Sequence, residues 1–112
     1  MGENKVFDTT LTKGPPQWDG DKAKWRHWSA KVEGYIAALD PVLHGLMEIA
    51  VVQKEPISHD GLRPEHIELS TKFLGVLNQL MEGDAFETVL NCEKGNGLEV
   101  WRRINREMKP RA

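Results

Sequence analysis

Cysteine is almost missing from this chain: Cys92 is the single one in 112 residues. No disulfide can therefore form within the chain, and a zinc site built on a set of cysteines is excluded. The expected setting is reducing and cytoplasmic. Long apolar runs are also missing, and nothing approaches the ~20 residues needed to cross a bilayer. The opening residues, Met1 to Val6, hold no hydrophobic signal stretch. An N-myristoylation motif would want Ser or Thr where Val6 stands. Alternation of period two over a strand's length does not occur, and no internal repeat is present.

The usual signatures of chemistry are absent too. His27, His44, His59 and His66 form no HExxH pair and have no acidic partner at a metal-ligand offset. Ser29, Ser58 and Ser70 lie outside any nucleophile-elbow context. Gly95-Asn96-Gly97 precedes a helix start, where an anion could sit. It lacks the P-loop lysine-serine pair and the dinucleotide fingerprint, so it reads as a helix-capping turn. The expectation is a non-enzyme with no catalytic, cofactor-binding or metal site, no small-molecule substrate and no membrane partner.

What is present is enough for one modest core: 39% apolar and 29% charged residues make a globular domain. The formal net charge is −2, but it is unevenly spread. Residues 101–112 carry five cations (Arg102, Arg103, Arg106, Lys109 and Arg111) against Glu107, a net of +4, leaving −6 on the remainder. That basic cluster is the candidate contact for nucleic acid or an acidic partner. The acidic body makes RNA binding by the isolated chain weak.

Residues 1–17 are polar and end in Gly14-Pro15-Pro16-Gln17, which reads as a flexible arm. A helical domain is expected over 18–109, and 110–112 form its end. Trp25, Trp28, Val32, Tyr35, Ile36 and Leu39 recur on one helical face, with Asp19 or Asp21 as cap. Asp40-Pro41 ends that helix and starts another, since Pro suits a first turn. Leu43, Leu46, Met47 and Ala50 give its stripe, to about Val51. A loop over 53–63 leads to Pro64 and a third helix through Ile67, Phe73, Leu74, Leu77, Leu80 and Met81. A short helix from Asp84 to about Cys92 and a last one carrying Leu98, Trp101, Ile104 and Met108 complete the chain. The reading is all-α, a compact bundle of about five helices. Its expected structural core is Trp18, Trp25, Trp28, Val32, Ile36, Leu77, Trp101 and Ile104.

With these helices placed, Trp18-Asp19-Gly20 followed by Trp25, Trp28, Val32, Tyr35 and Ile36 resembles the opening of LTR-retrotransposon Gag capsid regions. That family often has Phe where Trp18 stands. Ala85 to Val89, then Gly97 to Ile104 with Trp101, is similar to its closing helix, with Ile104 for the usual Leu. The resemblance spans roughly residues 15–108 and fits both the gypsy and copia types, including host-domesticated members. It implies a capsid N-terminal lobe that packs with copies of itself into an intracellular shell around element RNA. A zinc knuckle, a protease triplet and a second helical lobe, which the family's polyproteins carry, do not occur in these residues. RNA packaging would then belong to other regions. The rival expectation is a monomeric helical adaptor that holds a partner peptide in a helix groove.

Overall fold

The computed structural model describes residues 14–109 and shows five α-helices and no strand among them. In chain order these are α1 (Lys22–Leu39), α2 (Pro41–Val52), α3 (Pro64–Leu80), α4 (Gly83–Leu90) and α5 (Gly97–Met108). A single 3₁₀ turn, His59–Gly61, interrupts the long connection between α2 and α3.

The helix starts follow from capping chemistry. Asp21 accepts the Ala23 N–H at 2.9 Å and so satisfies one orphan donor of α1. Asp40 does the same for Leu43 at 3.1 Å, with Pro41 at the first position of α2. The Asn96 carboxamide caps α5 by accepting the Glu99 N–H at 3.2 Å.

Helix α5 is the organising element, touching α2, α3 and α4. Trp28, Val32 and Ile36 of α1, Leu43, Met47 and Ala50 of α2, and Phe73 and Leu77 of α3 are buried with Trp101 and Ile104 of α5. Trp18 is also buried and stacks on Trp28 at 4.8 Å between centroids. Burying each large aromatic removes about 150–250 Å² from water, so these rings dominate the core's energetics. Trp25 departs from the expectation: it touches Trp18 and Trp101 but is only half-buried at the core's rim.

The end of the arm is also corrected. Pro15 is buried, and the Pro16 carbonyl accepts the Trp28 indole N–H at 2.8 Å. Trp18 pairs its backbone with the end of α3: its N–H donates to Leu80 and its carbonyl accepts from Glu82. Gly20 follows at φ +102°, where a Cβ would stand 3.2 Å from the Ala85 nitrogen. Residues 14–17 therefore belong to the packed domain, while 1–13 and 110–112 lie outside the described residues.

Candidate functional site

Two features of α5 bear on function, and they separate cations that look equivalent in the sequence. The first is an internal ion network. Glu99 and Arg102 are buried, at 2% and 5% exposure. The Arg102 guanidinium donates to both Glu99 oxygens, at 2.8 and 3.0 Å. Arg103 Nε donates to the same carboxylate at 2.8 Å, and the Ile57 N–H adds a fourth bond at 2.8 Å. Arg102 also reaches the carbonyls of Gln53 and Lys54, both at 3.4 Å. This network clamps the α2–α3 connection onto α5.

Burial alone would raise the Glu99 pKa, yet the bonds from Arg102, Ile57 and Arg103 outweigh it and hold the carboxyl below its ordinary 4.5. Arg102 and Arg103 are correspondingly raised, the hydrogen bonds to Glu99 being the main cause. Arg102 is thus structural, which corrects its placement among partner-contacting cations. Arg103 is half-buried and also bonds the Asn91 carbonyl at 3.2 Å. The signal was in the sequence: Glu99 lies three and four residues before the two arginines, the spacing of helical ion pairs. Arg106 and Lys109 remain exposed, and Arg111 lies outside the described residues.

The second feature is a surface groove of about 790 Å³ between α1, the end of α2 and the end of α5. Trp25, Val51 and Val52 make it apolar, while Lys54, Arg106 and Lys109 supply cations. Val52 is 75% exposed. This groove continues an apolar surface on α2. That helix buries Leu43, Met47 and Ala50 but leaves Val42 and Ile49 exposed at 59% and 54%. Leu39, Val51 and Leu90 complete the exposed large hydrophobics among the described residues.

No three of His, Cys, Asp and Glu converge as metal ligands among the described residues. Burial raises the pKa of the Cys92 thiol above its ordinary value, which disfavours the thiolate. Gly95-Asn96-Gly97 is a capping turn, with Gly95 at φ +81°. Gly97 packs so closely on α3 that a Cβ would stand 2.6 Å from the Leu74 nitrogen and the Ser70 carbonyl. Ser70 is buried and its hydroxyl accepts the Leu98 N–H at 3.1 Å, a structural duty. No helix among the described residues is long and apolar enough to cross a membrane.

No protein-family model, curated protein or solved structure matches this chain.

Proposed function

We propose that this domain is a self-associating structural lobe of the Gag capsid type, which builds an intracellular shell around retroelement RNA through repeated weak contacts between copies. One observation carries the reading: α2 is apolar on both its faces, yet one face is left open to solvent. Leu43, Met47 and Ala50 fill the core, and the described residues leave Val42, Ile49 and Val52 largely uncovered. Beside the exposed Glu48, this aliphatic stripe exceeds what one buried face requires, so it asks for a protein neighbour. The resemblance of the Trp18-Asp19-Gly20 and Trp101 segments to capsid regions supports a neighbour that is another copy.

Weak contacts suffice for such a function, since a shell makes many of them at once. RNA contact by this lobe is confined to a few exposed cations, and packaging is assigned to other regions of a polyprotein. Light scattering over a concentration series tests the reading. The apparent mass should rise with concentration, and Ile49→Asp should move that rise to higher concentration with little change in Tm. A chain that stays monomeric throughout yet captures a defined peptide would establish the adaptor role instead.

A further inference from the structure

We infer that one contact of this assembly runs head to tail, the exposed end of α4 in one copy seating in the α1–α2–α5 groove of the next. It rests on the self-association reading above and names the surfaces. The argument starts from two unsatisfied features of opposite character on the same chain. The groove offers Trp25, Val51 and Val52 to an apolar side chain, and among the described residues its lining includes three cations and no acid. Helix α4 offers the reverse. Leu90 is 62% exposed, and Asp84 and Glu87 of the same helix are exposed. The helix itself has no basic residue, while Arg103 of α5 donates to the Asn91 carbonyl at 3.2 Å. At ~100° per residue, Leu90, Glu87 and Asp84 fall within one arc of about 120° on the α4 surface. An aliphatic knob with acidic residues on its N-terminal side thus meets an aliphatic-aromatic slot with basic flanks.

The two surfaces cannot satisfy each other within one molecule. Thr88 and Asn91 tie α4 to the side of α5 that carries Glu107 and Arg103. Asn105, Arg106 and Lys109 line the groove from another side of α5. By helical geometry those two sides are roughly 130° apart around the axis. The partner is therefore a second copy, and the contact joins two different patches. Such a contact leaves a free knob and a free slot at every step, so it propagates into rings or open chains rather than stopping at a dimer.

The test uses the full chain carrying Val42→Asp, which silences the outward face of α2, and follows mass by sedimentation velocity. This chain should still grow with concentration. Adding Val52→Asp (slot) or Leu90→Asp (knob) should each give monomers with unchanged Tm, both positions being exposed. An equimolar mixture of the two should form a heterodimer and stop there, because one intact knob meets one intact slot. Arg106→Glu should weaken growth of the Val42→Asp chain at least tenfold, and adding Glu87→Lys should restore it. If the slot and knob variants grow like their parent, or if their mixture stays monomeric, the contact is wrong. If Val42→Asp alone abolishes growth of an associating wild type, the contact falls while self-association stands. A wild type that never associates removes both. A slot that takes a single-stranded RNA oligonucleotide, with no heterodimer in the mixture, overturns the assignment in favour of nucleic acid.

Discussion

Glu99→Gln should be among the most damaging single-atom changes available in this protein. The carboxylate is 2% exposed and accepts four hydrogen bonds, three from the two arginines and one from the Ile57 N–H. Glutamine keeps the shape but replaces one oxygen by an amide that donates, so one side of the network turns from acceptor to donor. Arg102, 5% exposed, then keeps its charge without a counter-charge. Breaking a buried pair from one side costs about 3–5 kcal/mol, a large part of a total stability of ~5–15 kcal/mol. Urea denaturation measures it, with the expected loss in midpoint and an unchanged slope. Replacing both partners, Glu99→Gln with Arg102→Met, should be less damaging than Glu99→Gln alone, because the orphaned charge is gone. The pH dependence has a definite sign. Glu99 is held below its ordinary pKa of 4.5 in the folded state, so its contribution is complete above that value. It is lost as pH falls from about there through the folded pKa, because the unfolded chain takes up the proton first. Glu99→Gln should lack that part of the acid sensitivity. A loss under ~1 kcal/mol, the range of exposed pairs, would refute the network's role.

Three further outcomes follow from the packing. Trp28→Ala removes a buried ring stacked on Trp18 and should cost ~3–5 kcal/mol by calorimetry; an unchanged Tm would refute the core assignment. Gly97→Ala puts a methyl against α3 backbone that cannot yield, and should lower Tm sharply, whereas Gly34→Ala, with open space around it, should leave Tm the same or higher. RNA binding, measured by anisotropy, should be weak and steeply salt-dependent; Arg106→Gln with Lys109→Gln should reduce it, and Arg102→Gln should instead reduce stability. Tight binding that persists in high salt would contradict this division of the cations.

The helices were legible because capping and period act locally. Asp40-Pro41 marks a boundary by itself, and the Trp28-Val32-Ile36 spacing marks a face. The core was legible for the same reason, except that Trp25 lies on the same stripe as Trp28 and only the tertiary arrangement leaves it at the rim. The backbone pairing of Trp18 with the Leu80–Glu82 segment was not legible, because it joins segments some sixty residues apart through main-chain atoms. Arg102 misled for a related reason. On α5 alone it falls outside the Leu98-Trp101-Ile104 stripe, and the Gln53–Lys54 backbone that meets it comes from a distant part of the chain. The outward stripe of α2 could have been found, since Val42, Ile49 and Val52 exceed what one buried face requires.

The central claim is that the domain associates with itself through surface that its own core leaves uncovered. Sedimentation velocity of the full chain, from micromolar to near-millimolar concentration at physiological salt, tests it most directly. The account predicts a monomer at the low end and a continuous rise in weight-average sedimentation coefficient with no plateau at a dimer. Ile49→Asp should shift the rise to higher concentration. A sedimentation coefficient that stays at the monomer value across the whole range would contradict the account.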